Sequence, residues 1–152
     1  MTATLHDTMM QRALALAAEA GERGDVPVGA VVYDEAGKIW GEGANRVVAD
    51  TDPTAHAEIL ALRAAAKAKG AANLEGLSLA VTLEPCAMCA QAMAWARIAE
   101  LRFGAWDPKS GGTVHGARVF QSPTCHHKPV VYDGWREEEC RLVLQRFFSV
   151  RR

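Results

Sequence analysis

The chain has 152 residues, 49% hydrophobic and 23% charged, with a formal net charge of -1 at pH 7. That is the make-up of one ordinary globular domain, expected to span residues 1–152, with length enough for a real core. No apolar run approaches a membrane span, and the small net charge gives no sign of a polyanionic partner. The distribution says a little more. Residues 1–75 hold 7 Lys+Arg against 11 Asp+Glu, and residues 76–152 hold 10 against 7. The modest basic bias of the second half is either scatter or a surface presented by loops and the C-terminus.

In chain order, residues from about Asp7 to Arg23 read as an amphipathic helix. Met10, Ala13, Leu14, Ala17 and Ala18 recur at helical spacing, and Gly24 is the stop. The apolar run after Arg12 is short and ends at Glu19, so no cleaved leader is expected. Val26 to Tyr33 reads as a strand, Asp34 to Gly37 as a turn and Lys38 to Gly43 as a partner strand. Gly29, Gly41 and Gly43 interrupt this hairpin. They are either tolerated bulges or places where another backbone or a ligand comes close.

Asn45-Arg46 closes the second strand. Asp52-Pro53-Thr54 has a capping residue before a proline, so a helix is expected to start there and run to about Lys69, ended by Gly70. Leu77 to Leu83 reads as a buried strand, stopped by Glu84-Pro85. A helix follows from Cys86 to about Arg97, then a strand from Glu100 to Ala105. Met88, Met93 and Trp95 on the helix suit core or interface packing. Trp106 to about Lys128 is a long loop, and long loops in compact domains tend to be functional. Pro129 to Tyr132 is a short last strand. Arg136 to Phe148 is a final helix with Cys140, Val143, Leu144 and Phe147 on one face. This order implies an α/β chain: one mixed sheet of about five strands with helices on both faces.

Two stretches carry chemistry: His56-Ala57-Glu58 and Pro85-Cys86-Ala87-Met88-Cys89. Alone, H-x-E means little. Alone, C-x-x-C suits a redox pair or half of a zinc ribbon, and a ribbon needs a second C-x-x-C that this chain lacks. Together and in this order they are far more specific, because His56, Cys86 and Cys89 make three ligands for zinc with one open position, the layout of a catalytic site. Both motifs are expected at helix N-termini, where the dipole favours thiolate, and Cys86 and Cys89 share a helix face. Glu58 is left as a carboxylate free to move protons. The remaining cysteines, 125 and 140, are expected as free thiols, since the site needs reduced sulfur; the cytosol is the expected compartment.

Beyond these motifs, Asp25-Val26-Pro27-Val28-Gly29-Ala30-Val31, Asn45-Arg46, Asp52-Pro53-Thr54-Ala55-His56-Ala57-Glu58, Thr82-Leu83-Glu84-Pro85-Cys86-Ala87-Met88-Cys89 and Phe103-Gly104-Ala105 resemble the bacterial tRNA-specific adenosine deaminases. The likeness runs from about residue 7 to the end of the chain. It implies a three-layer α/β/α cytidine-deaminase-like fold, one zinc ion per subunit, a homodimer in the cytoplasm without a membrane partner, and a tRNA anticodon stem-loop as substrate, in particular that of an arginine tRNA. Water activated by zinc would attack C6 of a flipped-out wobble adenine, with Glu58 as proton shuttle and inosine as product.

The resemblance further implies substrate contacts by Asn45, Glu84, Asp107, Lys109, His127, Phe148, Arg151 and Arg152. Each has a plainer reading. Asn45 is also a turn residue, Glu84 lines a pocket by its backbone while its side chain is structural, Phe148 suits packing, and the others are solvated charge. Trp106 and His115-Gly116-Ala117-Arg118 depart from the family pattern, which bears on RNA contacts and not on the chemistry. Two other functions fit the shared core: deamination of a free base or nucleoside such as guanine or cytosine, and a non-catalytic, zinc-stabilised RNA-binding subunit. The second would be favoured by a fourth protein ligand such as Cys125.

Overall fold

The computed structural model describes the backbone of residues 3–151 and the side chains of 5–151. Its elements are α1 (Ala3–Glu22), β1 (Gly29–Tyr33), β2 (Ile39–Ala44), α2 (Ala57–Lys69), β3 (Ser78–Leu83), α3 (Ala87–Ala96), β4 (Glu100–Ala105), a 3-10 turn (Val119–Gln121), β5 (Val130–Tyr132) and α4 (Glu137–Val150). The sheet runs β2-β1-β3-β4-β5. β1 is antiparallel to β2 and β3, and β3, β4 and β5 are mutually parallel. No helix among the described residues is long and apolar enough to cross a membrane.

The three expected layers follow from side-chain alternation along the strands. Ala30, Val32, Leu79, Val81, Leu101 and Phe103 face a core shared with α2 and α3, including Ala61, Ala65, Ala90 and Met93. Val31, Tyr33, Ala80 and Ala105 face the other way, onto Met9, Met10, Ala13 and Leu16 of α1 and Cys140 of α4. The central strands are covered on both sides, which is why β1 reads as an unbroken apolar run.

The glycines of β2 serve close approach of a backbone. A β-carbon at Gly41 would lie 2.3 Å from the Ala61 carbonyl oxygen, and one at Gly43 2.2 Å from that of Ala57. α2 therefore lies against the bare strand, in its first turn as well as its middle. This contact fixes the height of the α2 N-terminus over the sheet.

One expected boundary shifts. α2 starts at Ala57, not at Asp52-Pro53-Thr54, and His56 stands at its N-cap with an extended backbone (φ -76°, ψ 149°). Asp52 caps a local turn instead. Its Oδ1 accepts from the Thr54 N–H (2.8 Å) and the Thr54 hydroxyl (2.7 Å). A short acceptor followed by proline starts a turn as readily as a helix, and here the turn wins. Gly70 ends α2 as expected, in the left-handed region at φ 75°.

Candidate active site

The site forms where the C-terminal ends of β3 and β4 meet the start of β1 and the end of β2. In a sheet with parallel strands this edge is where ligands bind. α2 and α3 both start there. His56 and Cys86 hold the two N-cap positions, and neither side chain caps its helix. Their polar atoms turn away from the helix ends and toward each other.

The ligand atoms of His56, Cys86 and Cys89 lie within 4.8 Å of one another. His56 Nδ1 is 3.6 Å from Cys86 Sγ and 3.4 Å from Cys89 Sγ. Two ligands bound to one tetrahedral zinc stand about 3.5 Å apart. The donor set and its spacing thus fit zinc, with Nδ1 as the histidine ligand. Among the described residues neither Cys125 nor Glu58 joins this group.

Glu58 is buried. It is the second residue of α2, two residues beyond His56, and its carboxyl reaches toward the Cys89 sulfur. Burial pushes its pKa up to about 7, against the opposing pull of its own backbone N–H. The hydrogen bond from Cys89 holds Cys86 down to about 4, while Cys89, donating to Cys86 and buried, is pushed upward. Cys86 is the thiolate of the pair.

A cavity of about 470 Å³ opens above these groups. His56, Glu58 and Cys86 lie along it. Its walls include Val26, Val28, Val47, Val48 and Leu83, with Asp25, Asn45, Glu84, Asp107, Ser110, Phe147 and Arg151 as the remaining functional groups. An apolar lining with a few placed polar atoms is what a flat ring of polar edges requires.

The residues proposed from sequence as substrate contacts divide by position. Asn45 lines the cavity, but much of its amide is already engaged. Its Oδ1 accepts from Ala57 N–H (2.8 Å), and its Nδ2 donates to the Val26 carbonyl (3.1 Å). Asn45 thus caps α2 in place of His56. Asp107 lines the cavity, with Oδ1 accepting from Ser110 N–H at 3.0 Å. Arg151 lies over the Phe147 ring at 3.8 Å, and both line the cavity. Phe148 does not; it is 49% exposed on another face of α4, and the helical period brings Phe147 to the rim instead. Lys109 is exposed and His127 donates from Nε2 to the Ile98 carbonyl (2.8 Å); neither lines the cavity. Arg152 lies outside the described residues.

Glu84 is the most heavily engaged. Oε1 accepts from Asp107 N–H (3.0 Å) and His115 Nδ1 (2.8 Å). Oε2 accepts from the N–H groups of Thr113 (3.4 Å), Val114 (3.1 Å) and His115 (3.0 Å) and from the Thr113 hydroxyl (3.2 Å). Burial pushes this carboxyl up, but the Asp107 and His115 donors outweigh it and hold the group below its ordinary range.

Sequence reasoning missed Asp25, Ser110 and Phe147. Asp25 is buried and accepts from Val48 N–H (2.7 Å) and Ala49 N–H (3.2 Å), fixing another wall of the cavity. Apart from its place in the Asp25–Val31 resemblance, it is a carboxylate between a helix stop and an apolar strand, which reads as an ordinary turn. Phe147 does carry a signal, since it falls on the apolar face of the last helix.

Residues 3–105 match the model of the cytidine and deoxycytidylate deaminase zinc-binding region. The chain is 48% identical over 143 residues to a tRNA-specific adenosine deaminase of Agrobacterium fabrum, covering 94% of this chain and 93% of that one. It is 45% identical over 146 residues to a tRNA-specific adenosine deaminase of Haemophilus influenzae, covering 96% and 84%. A solved structure from work on A-to-I editing at the wobble position of transfer RNA superimposes with a TM-score of 0.88 at 47% identity, covering 91% of this chain and 99% of that chain. A guanine deaminase from Nitrosomonas europaea shares the fold, with a TM-score of 0.81 at 22% identity over 93% and 83% of the two chains.

Proposed function

This chain belongs to the tRNA-specific adenosine deaminases, and from that premise we propose that it hydrolyses adenosine to inosine at the wobble position of a tRNA anticodon, that of an arginine tRNA in the first instance. The observation that carries the reading is a buried carboxyl, Glu58, beside a three-donor group on the floor of an open cavity.

His56, Cys86 and Cys89 would hold the zinc. When bound, zinc supplies a Lewis acid that makes water reactive near neutral pH. Glu58 takes a proton from the attacking water and delivers it to N1 of adenine as C6 is attacked; it then takes the proton of the new C6 hydroxyl and passes it to the departing amine as the C6–N bond breaks. Adenosine and water give inosine and ammonia. Val28, Leu83 and Val48 keep bulk water off the ring. An anticodon loop is single-stranded, so splaying its base into the cavity costs little. Asp107, Phe147 and Arg151 at the rim meet the neighbouring nucleotides, while Lys109, His127, Phe148 and Arg152 are left for contacts farther along the loop.

We include a homodimer in the proposal. Trp95 is 69% exposed and Met88 36% exposed, beside an apolar groove formed by Ile59, Leu62, Ala66, Leu74, Ala92 and Ala96. A second copy covering this groove accounts for such a patch, and sedimentation of Trp95→Glu against the unchanged chain tests it.

The deciding experiment incubates the zinc-loaded protein with an anticodon stem-loop bearing a wobble adenosine, and in parallel with guanine and cytosine. Inosine in the stem-loop alone is expected. Turnover of the free bases without RNA activity overturns the reading. Glu58→Gln should retain zinc and lose at least about a hundredfold in rate.

A further inference from the structure

Glu84 sits two residues before Cys86, yet its carboxylate spends none of its capacity on the floor of the cavity. Six donors converge on it, and all of them come from the segment 107–115. Three are the successive backbone N–H groups of Thr113, Val114 and His115, which together make an anion-holding nest. The anion in this nest belongs to the chain itself.

The segment so held is the wall that presents Asp107 and Ser110 to the cavity. Two further bonds lock it down: Gly111 N–H to the Asp107 carbonyl (2.8 Å) and Gly112 N–H to the Pro85 carbonyl (2.7 Å). It lies so flush that a β-carbon at Gly111 would come 2.5 Å from Glu84 Oε2. The hold is chiefly polar: of residues 107–115 only 111–113 are buried, and Val114 is the one apolar side chain among them packed on the core. Removal of the carboxylate leaves six donors turned inward with nothing to accept them, and the wall must open to hydrate them.

We propose that Glu84 is a positioning residue for RNA: its side chain sets the shape of the wall carrying Asp107 and Ser110, and so governs the grip on nucleotides flanking the target base. The inference rests on the tRNA reading above for its substrate, and on geometry alone for the clamp. Glu58 and His56 belong to α2 and make none of the clamp's hydrogen bonds, while the wall meets the Cys86 turn through Gly112, whose N–H bonds the Pro85 carbonyl without the Glu84 side chain, so loss of the clamp acts on binding before chemistry.

Two properties separate this role from general support of the fold. First, a carboxylate is required. The amide of Glu84→Gln keeps one acceptor and turns its NH2 group on the remaining N–H donors, so it restores only part of what Glu84→Ala loses. Second, Glu84→Ala leaves a nest with room for a small carboxylate, so acetate should refill it.

The test measures zinc content, kcat and KM on the anticodon stem-loop, and amide hydrogen exchange at residues 113–115, with acetate or with chloride at equal ionic strength. For Glu84→Ala we expect wild-type zinc, kcat changed less than about threefold and KM raised about tenfold or more. Exchange at Thr113, Val114 and His115 should quicken. Acetate should reverse both effects where chloride does not, and should leave Glu84→Gln unimproved. An unchanged KM, a loss confined to kcat, or acetate no better than chloride overturns the proposal. If Glu84→Ala does not fold, Thr113→Val deletes one clamp bond and should move KM and exchange the same way by a smaller factor; no movement in either is again fatal to it. If the unchanged chain leaves the stem-loop untouched, the tRNA reading fails, while exchange at residues 113–115 still decides the clamp.

Discussion

Gly43→Ala is a one-methyl change that should disable the site from beneath. The added carbon would lie 2.2 Å from the Ala57 carbonyl oxygen, 2.9 Å from Ala61 N and 2.9 Å from Leu60 Cβ. Ordinary contact begins near 3.4 Å, so the first turn of α2 must retreat by about 1 Å. Two of these three atoms are backbone, and no rotamer change relieves them. Overpacking of this kind costs about 1–3 kcal/mol, which for a chain of this size lowers Tm by roughly 3–10 °C. The activity should fall further than the stability. His56 and Glu58 ride on the displaced turn, and a misplacement of about 1 Å at a reacting group costs about a hundredfold in rate. Gly70→Ala is the control. It strains a left-handed position (φ 75°) with open space around it, and should cost about 1 kcal/mol. The two variants should therefore melt comparably early, while only Gly43→Ala loses turnover and zinc. Melting curves, zinc content and stem-loop deamination read the outcome. A Gly43→Ala protein with unchanged rate would refute the argument that β2 sets the height of the ligand helix.

Two other expectations concern the thiols and the rim. In zinc-stripped protein, Cys86 should be the first cysteine alkylated by iodoacetamide at neutral pH, because Cys89 holds it near 4 and it is half-buried, whereas Cys89, Cys125 and Cys140 are buried and Cys140 is pushed up to about 12 by that burial. Zinc should protect it, and peptide mapping that finds Cys140 or Cys125 modified first would contradict this order. Phe147→Ala should weaken stem-loop binding by about 1–3 kcal/mol, since it removes a stacking face at the rim and the seat of Arg151; Phe148→Ala should cost clearly less. Binding measured by fluorescence anisotropy that ranks the two the other way would return Phe148 to the rim.

What could be seen in the sequence was governed by how local each cause is. His56, Cys86 and Cys89 were legible because the chemistry imposes spacing: two thiolates three apart must share a helix face to reach one ion. The layers were legible because alternation and helical period record which faces are covered. The start of α2 was not, because Asp52-Pro53-Thr54 satisfies a helix cap and a local turn equally, and the choice depends on Asn45, twelve residues upstream, bonding Ala57 N–H. Asp25 and Glu84 stand at the far end of this scale. Each is an acidic side chain whose reason for burial lies 23 to 31 residues away, in backbone N–H groups that carry no sequence identity. Such partners can be any residue except proline, so composition and motif are blind to them by nature. The floor of this cavity was therefore written in side chains and readable, whereas two of its walls are held by backbone donors and became visible only once the chain was folded. What Glu84 grips is chiefly main chain, the N–H groups of Asp107, Thr113, Val114 and His115, which substitution of those side chains leaves intact.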